Sequence, residues 1–433
     1  MNKGLLSIIF LGDISSGKST ICGSLIVSSG NISHREISEC KLIASKYKIE
    51  NDWKRYIFDF TEEEKLKMHT IETGREYFET SSKRILIFDS PGHYMNIPDM
   101  LTVLPMCNYA AMVISAKTGV FEKGIEENGS IFQHTLLAKS QKISNLMILI
   151  NKMDDVDVKW NKNRFEQIKK EFTAKFKRLF DFEKSVIFLP VSGLTGDNIS
   201  SKINSTECDW YNGPTVLEVL DKIDPSPRGN EASSLRILIT DKIVLGETFL
   251  FGKVLSEIAT VGSKGYLLPG NIIYEIKSMF LFNGDEVKLA KKGENIKFLL
   301  KNFNDKDTVK KGNIICGDIL CPVFDTFLAN IEVISLTKTI PIISDGYTSI
   351  IHIHSATEEV ELYDVYQIDL LTKKRTKSKF ALKGSIAECK IHTKNPICAE
   401  KAVVNQFLGT FALRNEGNTI AIGKILKYKP MGK

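Results

Sequence analysis

Short, continuous apolar runs recur along the first 222 residues, separated by longer stretches in which apolar and polar residues mix. The runs are LLSIIFLG (5–12), RILIFD (84–89), AAMVISA (110–116), NLMILIN (145–151) and SVIFLPVS (185–192). Such runs indicate strands that are buried on both faces of a parallel sheet. Residues 163–180 instead place apolar side chains at helical spacing, which predicts an amphipathic helix. Its apolar positions are Phe165, Ile168, Phe172, Phe176 and Leu179. The alternation predicts a doubly wound α/β domain with a mostly parallel sheet.

The pattern changes at residues 224–234, DPSPRGNEASS, where Pro, Gly and Ser cluster as they do in linkers. Beyond this point, short strand-like runs are interrupted by Gly, Asn and Asp, which suggests β-barrels. A second break at Cys321-Pro322 divides this half of the chain. We therefore predict an α/β domain at 1–223, a linker at 224–232, a first β-barrel at 233–322 and a second β-barrel at 323–433.

The composition changes this picture little. The chain has 433 residues, too many for one hydrophobic core, and its 43% hydrophobic and 25% charged residues are ordinary for a globular protein. A net charge of +6 permits contact with nucleic acid without arguing for it. The eight cysteines include no C-x-x-C pair, so we expect reduced core residues. No run approaches the ~18 apolar residues of a membrane span. We expect a cytoplasmic protein without membrane contact.

The stretch LGDISSGKST (11–20) lies between a predicted strand and a predicted helix. Gly12, four further residues and Gly17-Lys18-Ser19 match G-x-x-x-x-G-K-[ST], the phosphate-binding loop. Backbone amides and the helix N-terminus attract phosphates there, Lys18 is expected to reach the β- and γ-phosphates, and Ser19 to bind Mg²⁺. Taken alone, the motif is also compatible with a glycine turn beside a surface lysine. The predicted contacts are Asp13, Ile14, Ser15, Ser16, Gly17, Lys18, Ser19 and Thr20.

Three further signatures end later predicted strands. In FDSPGH (88–93), Asp89 is expected to hold Mg²⁺ through water, and Gly92 lets the backbone approach the γ-phosphate. In NKMDD (151–155), Asn151 is expected to tie down the phosphate loop. Asp154, beside Lys152, is expected to accept hydrogen bonds from guanine N1 and N2. Adenine lacks that donor pair, so such a site rejects ATP.

The last signature is VSGLTG (191–196), where the backbone amide of Ser192 is expected to donate to guanine O6, with Gly193 and Leu194 beside it. The four signatures appear in order, and each lies at the carboxyl end of a predicted strand. Ligands bind at that edge of an open α/β sheet. The sequence therefore predicts a site for GTP and GDP.

Seven longer stretches carry a family resemblance. They are HTIETGREYFET, FDSPGHYMNIPDM, LINKMDDVDVKW, FLPVSGLTGDNI, WYNGPTVLEVLDKI, HIHSATEEVEL and FALRNEGNTIAIGKILK. With them the chain resembles the translational GTPases of the elongation factor one-alpha type, and in particular the class II release factors, the GTPase subunits of the eukaryotic termination factor. The resemblance spans almost the whole chain. It implies an α/β P-loop GTPase domain followed by two antiparallel β-barrels.

The resemblance also implies roles. Thr70 matches the switch threonine that binds Mg²⁺, and His93 matches the histidine that positions the attacking water. The implied protein binds a class I release factor through its second β-barrel and its GTP-ordered switches, as a monomer in a heterodimeric complex. It would hydrolyse GTP on the ribosome, including ribosomal RNA among its contacts, at stop codons. Two alternatives stay open: a ribosome-rescue GTPase that delivers a release-factor-like protein, and a hydrolysis-impaired GTP-binding adaptor.

The chain departs from the family at three places. The family loop reads G-H-V-D-x-G-K-[ST], whereas Asp13 stands here for the histidine and Ser15 for the aspartate. Because the family carboxylate helps to hold a monovalent cation beside the phosphates, we expect that cation site to be weakened. The segment LTVLPMCN (101–108) replaces a Gly-rich one, so we expect different packing there. We also expect the family's long N-terminal extension to be absent.

Overall fold

The structure is a computed structural model of the chain, and it divides into two compact units. The first comprises residues 1–100, 107–139 and 143–225, and the second comprises residues 101–106, 140–142 and 226–433. Apart from residue 224, the predicted linker at 224–232 lies outside the described residues, and the predicted domain bounds stay predictions. The structure describes residues 4–58, 64, 70, 73–93, 96–143, 145–177, 179–203, 208–224, 234–245, 247–282, 284–301, 309–336, 341–369, 372 and 374–431.

A six-stranded sheet forms the centre of the first unit. Its strands are β1 (Gly4–Gly12), β2 (Gly74–Glu79), β3 (Lys83–Asp89), β4 (Tyr109–Ser115), β5 (Leu146–Asn151) and β6 (Val186–Pro190). They lie in the order β2-β3-β1-β4-β5-β6. All neighbours pair in parallel except β2 and β3, which are antiparallel. The carboxyl ends of β1, β3, β4, β5 and β6 therefore meet at one edge, and the predicted mostly parallel α/β fold is confirmed.

Helices connect these strands. The helices that the structure describes are α1 (Lys18–Ser29), α2 (His34–Lys46), α3 (Ile97–Val103), α4 (Val120–Gly124), α5 (Ser130–Ser140), α6 (Lys162–Phe176), α7 (Phe182–Ser185) and α8 (Val216–Lys222), with 3₁₀ turns at Glu50–Ile57 and Leu104–Met106. The predicted helix at 163–180 is thus α6, which ends at Phe176 and leaves Leu179 half-buried beyond it. Its four phenylalanine and isoleucine positions inside the helix are buried, as the apolar spacing predicts. No helix among the described residues is long and apolar enough to cross a bilayer.

The second unit is built from antiparallel strands. They are β7 (Arg236–Leu245), β8 (Glu247–Ser256), β9 (Ala259–Thr260), β10 (Lys264–Leu268), β11 (Ile272–Phe280), β12 (Glu286–Val287), β13 (Leu289–Ala290), β14 (Asn295–Leu300), β15 (Ile314–Cys316), β16 (Val323–Val333), β17 (Ile343–Ser344), β18 (Tyr347–Ile353), β19 (Ala356–Ile368), β20 (Phe380–Ala381), β21 (Ile386–Cys398), β22 (Thr410–Asn415) and β23 (Asn418–Tyr428).

Two barrels result from these strands. The first follows the order β10-β15-β7-β8-β14-β11, and a direct β10–β11 pairing closes it. The second is a closed barrel in the order β16-β21-β19-β18-β22-β23. The predicted pair of antiparallel β-barrels is therefore confirmed. Closure leaves few unpaired strand edges, which suits strands as short as β15.

A buried ion pair joins the two barrels of this unit. Arg236 on β7 lies 2.5 Å from Glu400, which follows β21, and both side chains are about 7% exposed. Around them Cys316, Cys321 and Cys398 belong to one apolar cluster. All eight cysteines are free thiols in buried positions, in keeping with their expected core role.

Candidate nucleotide-binding site

A cavity of about 330 Å³ opens where β1, β3 and β5 end, and we call it the nucleotide cavity. Its volume suits a small ligand. Most of the residues that the sequence assigns to the site line it together. These are Ile14, Ser15, Gly17, Lys18, Ser19, Thr20, Thr70, Gly92, His93, Asn151, Lys152, Asp154 and Leu194. The other predicted residues, Asp13, Ser16, Asp89, Ser192 and Gly193, are not among its lining residues.

The backbone of the phosphate loop, residues 12–19, takes an unusual path. Both Gly17, with φ 96°, and Ser15, with φ 54°, lie in the left-handed region, and α1 begins directly after them at Lys18. A Cβ at Gly17 would lie 2.2 Å from Asn151 Nδ2, so only glycine fits. Alternating backbone conformations of this kind turn successive amides toward one point and form an anion-binding concavity.

Lys18 is held inside the loop by its own backbone. Its Nζ donates to the carbonyl oxygens of Gly12 at 3.2 Å and Asp13 at 2.8 Å, and the side chain is 5% exposed. Burial lowers the pKa of Lys18, while the nearby carboxylates of Asp89 and Asp13 oppose that shift. Because the ammonium group lies in the cavity wall, it is placed to meet an anion bound by the loop.

Ser19 and Thr70 bring two hydroxyls to one point. Their Oγ and Oγ1 atoms lie 3.0 Å apart, although 51 residues separate them in the sequence. Asp89, fully buried at the end of β3, supplies a carboxylate within electrostatic reach of Lys18. Hydroxyl and carboxylate oxygens are the hard ligands that Mg²⁺ prefers, usually together with phosphate oxygens and water. The Ser19–Thr70 hydroxyl pair, with the buried Asp89 carboxylate near Lys18, therefore fits magnesium.

Asn151 connects two loops at the edge of the sheet. Its Nδ2 donates to the Ser16 carbonyl oxygen at 2.7 Å, and its Oδ1 accepts from the Gly193 amide at 2.8 Å. Ser24 of α1 also donates to the Gly193 carbonyl oxygen at 3.0 Å. These bonds fasten the loop after β6 to the phosphate loop and to α1.

The cavity is also lined by residues that are expected to contact a base. Asp154 and Lys152 line it, and Lys152 has a left-handed backbone with φ 64°. Beside them Lys117 Nζ pairs with Asp155 Oδ2 at 2.6 Å. This hydrogen bond to Lys117 lowers the pKa of the Asp155 carboxyl. Asp154 also lines the cavity, and its carboxylate is not held in the ion pair of Lys117 and Asp155.

The turn after β6 contains Ser192, whose amide is expected to donate to guanine O6. In this structure that amide donates to the Asp197 carbonyl oxygen at 3.1 Å. The next amide, that of Gly193, is bonded to Asn151. The turn after β6 satisfies these donors internally, and Leu194 is the residue of this turn that lines the cavity.

Asp13 does not replace the carboxylate that Ser15 lacks. Its Oδ1 accepts from the Ile14 amide at 2.7 Å and from Ser130 Oγ at the start of α5 at 2.8 Å. The Asp13 carboxylate is therefore bonded within the loop and to α5, whereas the hydroxyl residue Ser15 lines the cavity.

Four lining residues lie outside the predicted set: Asp52, Arg55, Lys117 and Asp155. Asp155 could have been suspected, because it is the second aspartate of NKMDD. Asp52 and Arg55 belong to the 3₁₀ turn Glu50–Ile57, which carries no motif. Their place in the site follows from tertiary packing alone.

Two family models and several relatives match this chain. A family model described as the elongation factor Tu GTP binding domain matches residues 3–226, and one described as GTP-eEF1A C-terminal domain-like matches residues 326–426. A "Eukaryotic peptide chain release factor GTP-binding subunit" of Dictyostelium discoideum is 33% identical over 99% of this chain and 77% of its own length. The chain belongs to this family of release factor GTP-binding subunits.

Other relatives of this family are longer than the chain. The subunit from Zygosaccharomyces rouxii is 32% identical over 98% of the chain, which spans 64% of that relative. The chain spans 61% of the subunit from Kluyveromyces lactis. Among solved structures, the S. cerevisiae Ski7 GTPase-like domain superposes with a TM-score of 0.76 at 19% identity, covering 98% of this chain and 97% of that one. That likeness supports the fold.

Proposed function

We propose that this chain is a cytoplasmic translational GTPase that binds GTP and GDP with Mg²⁺ and acts in translation termination. One observation carries the proposal: a single cavity is lined by Lys18, the Ser19–Thr70 hydroxyl pair, His93 and Asp154. Groups that suit phosphates and a carboxylate that suits a base, in one cavity, fit a nucleoside triphosphate. The names of the relatives supply the biological setting.

In this proposal the phosphate loop binds the phosphates. Its amides and the α1 N-terminus offer hydrogen bonds, and the ammonium group of Lys18 offsets phosphate charge. Asp154 accepts from guanine N1 and N2, so a base without that donor pair leaves the Asp154 carboxylate unpaired. Asn151 holds the phosphate loop and the loop after β6 in a fixed relative position, because it is hydrogen-bonded to both.

Ser19 and Thr70 would hold the magnesium ion, with Asp89 contributing through water. When bound, the ion supplies positive charge to the phosphate oxygens. Thr70 reaches this point from a part of the chain distant from Ser19. Such a contact lets the segment around Thr70 respond to the γ-phosphate.

His93 is proposed to position the water that attacks the γ-phosphate. It lines the cavity beside Gly92, which follows β3. Phosphoryl transfer needs little covalent help from the protein and depends mainly on positioning and electrostatics. The ribosome would complete the geometry, so hydrolysis by the free chain should be slow.

The proposed partner is a class I release factor, bound by the second β-barrel, which contains the stretches HIHSATEEVEL and FALRNEGNTIAIGKILK. The GTP-ordered switches would add a contact, and the chain would act as a monomer in that heterodimeric complex. The ribosome, with its RNA, would be the second partner. Of the two alternatives, Ser15 motivates the hydrolysis-impaired adaptor, whereas His93 and Thr70 in the cavity oppose it.

Single-turnover hydrolysis tests the proposal. The full chain is loaded with GTP and mixed with ribosomes at a stop codon, with a class I release factor or with a rescue factor of similar shape. We expect rapid hydrolysis only with the release factor, and a loss of about 10²–10³ in rate for His93→Ala with GTP binding retained. Stimulation by the rescue factor alone would favour the rescue GTPase, and binding without hydrolysis would favour the adaptor.

A further inference from the structure

The 3₁₀ turn Glu50–Ile57, which we call the 50–57 segment, forms one wall of the nucleotide cavity. It packs so closely on α1 that a Cβ at Gly23 would lie 2.2 Å from the Lys54 carbonyl oxygen. On its other side, Lys54 Nζ donates to the Leu194 carbonyl oxygen at 3.2 Å. The segment is therefore fastened both to the helix that begins in the phosphate loop and to the loop after β6.

Asp52 is the acidic residue of this wall that lines the cavity. Its Oδ1 accepts from Thr20 Oγ1 at 2.7 Å. Within the part of the chain that the structure describes, no lysine or arginine nitrogen lies within 4.0 Å of the Asp52 carboxylate, and no residue donates to Oδ2. Burial raises the pKa of Asp52, while the Thr20 hydrogen bond and the charges of Arg55 and Lys152 favour its ionised form. One carboxylate oxygen is thus open to a donor from the ligand.

The neighbours of Asp52 place it along the length of a nucleotide. Thr20 is the last of the predicted contacts in the phosphate loop. Lys152, two residues before Asp154, lies at the base end and within electrostatic reach of Asp52. In any nucleotide the sugar joins the base to the first phosphate. A carboxylate between the two ends therefore faces the sugar, whose hydroxyls are hydrogen-bond donors.

The positive charge of Arg55 compensates the negative charge of the Asp52 carboxylate. A negative side chain beside the first phosphate would repel it. Arg55 also lines the cavity and lies within electrostatic reach of both Asp52 and Lys18. Guanidinium groups bind phosphate and carboxylate oxygens well because they present several donors in a plane.

We propose that Asp52 accepts hydrogen bonds from the ribose hydroxyls of the bound nucleotide and that Arg55 offsets its charge next to the first phosphate. This inference rests on the proposed guanine-nucleotide binding. The 50–57 segment would then recognise the ribose, so the chain should bind GDP more tightly than its deoxy analogues.

Calorimetry on the full chain tests the inference with GDP and 2′,3′-dideoxy-GDP. The wild type is expected to bind GDP roughly 10- to 100-fold more tightly than the dideoxy analogue, because hydrogen bonds to a charged group are lost. Asp52→Ala should bind both at the weaker level, so that the ratio approaches one. Arg55→Ala should weaken both and keep a ratio above one. Glu50→Ala, an exposed change in the same segment, should keep the wild-type ratio.

Each outcome separates the inference from the proposed function. A wild type that binds no guanine nucleotide would remove the proposed function itself. GDP binding with a ratio near one in the wild type, or an unchanged ratio in Asp52→Ala, would overturn the inference alone. An unchanged ratio with altered Mg²⁺ dependence would assign Asp52 to the metal and would also overturn it. If Asp52→Ala does not fold, Asp52→Asn keeps an acceptor for Thr20 and should still lower the ratio.

Discussion

Asn151 Nδ2 donates to the Ser16 carbonyl oxygen at 2.7 Å, across 135 residues of sequence. The same side chain accepts from Gly193, so one amide group connects the phosphate loop to the loop after β6. Both of its polar atoms are needed in fixed orientation, because one must donate and the other accept. A nucleotide bound in the cavity, which Asn151 also lines, would depend on this connection.

Replacing Asn151 should therefore weaken nucleotide binding. Asn151→Ala leaves the Ser16 carbonyl and the Gly193 amide without their partner, and Asn151→Asp places a carboxylate against the Ser16 carbonyl oxygen. We expect GDP affinity to fall roughly 10- to 100-fold in both variants, as for buried polar groups that lose a partner. Stopped-flow measurements with fluorescent GDP would give the dissociation rates.

Asn161→Ala is the matched control. Asn161 caps α6 by accepting from Asn163 and Arg164, outside the nucleotide cavity. Its loss should lower the stability by about 1 kcal/mol and leave GDP affinity unchanged. If Asn151→Asp bound GDP as well as the wild type, the connection would have no part in binding.

Asp154 should set the base preference. Asp154→Asn replaces an acceptor by a side chain that can donate to the extra carbonyl oxygen of xanthine, so preference should move from GTP toward xanthosine triphosphate. Competition binding with GTP, ATP and xanthosine triphosphate measures the change. Asp155→Asn is the control, because Asp155 lines the same cavity but is paired with Lys117. Equal binding of ATP and GTP by the wild type would contradict the assignment.

The sequence predicts those parts of the site that depend on local motifs, and it does not predict those that depend on contacts between segments. The positions of Lys18, Asn151 and Asp154 follow from local motifs at strand ends, because parallel strands bring their carboxyl ends to one edge. The bond of the Ser192 amide to Asp197 could not be predicted, since it depends on the exact path of a turn. Asp52 enters the site only because the 50–57 segment packs on α1, and no local pattern encodes that contact.

The fold also contains an element that no local sequence pattern predicts. Five strands are predicted from continuous apolar runs, because a parallel sheet is covered on both faces. The sixth, β2, is an edge strand with sequence GREYFE, and only two of its six residues are buried. It lacks such a run, so its hydrophobic pattern did not reveal it. Its register, with Gly74 opposite Asp89, comes from pairing with β3.

Removal of one partner of the buried ion pair of Arg236 and Glu400 should lower the free energy of unfolding more than removal of both partners. Arg236→Met leaves a buried carboxylate unpaired, which costs about 3–5 kcal/mol of unfolding free energy. The double change Arg236→Met with Glu400→Leu should recover most of that loss, because no buried charge remains. Urea unfolding monitored by circular dichroism gives the values.

An exposed pair provides the comparison. Lys394 and Glu359 lie 2.8 Å apart with side chains 67% and 70% exposed, so Lys394→Met should cost less than about 1 kcal/mol. A loss in Arg236→Met no greater than that in Lys394→Met would contradict the role of burial.

The second barrel should lose stability in mild acid because His354 is held neutral. Its Nε2–H donates to the Cys398 carbonyl oxygen at 2.9 Å, and Nδ1 accepts from the Ser355 amide at 2.9 Å. Burial lowers the pKa of His354 to about 4, and burial likewise lowers that of His352 to about 3. The unfolded chain therefore binds more protons below pH ~6.5, its ordinary histidine value. Stability is full above that pH and falls toward pH 4, by at most ~1.4 kcal/mol per unit for each histidine.

Urea midpoints measured between pH 7.5 and 4.5 would show this slope. His354→Gln should reduce it, since glutamine does not titrate and its amide can still donate to Cys398. His392→Gln, at an exposed position, should leave the slope as it is in the wild type. A slope that persists undiminished in His354→Gln would place the acid sensitivity elsewhere.

The last prediction concerns Ser15 and monovalent cations. Ser15 lines the cavity with φ 54°, and the only nearby carboxylate of the loop, that of Asp13, is already bonded to Ile14 and Ser130. A hydroxyl can ligate K⁺ but cannot offset its charge, so K⁺ should bind weakly beside the phosphates. We expect ribosome-stimulated hydrolysis to change little between potassium and bulky-cation buffers, and Ser15→Asp to introduce K⁺ dependence. Ser15→Ala separates charge from ligation and should behave like the wild type. Strong K⁺ activation of the wild type would contradict this account.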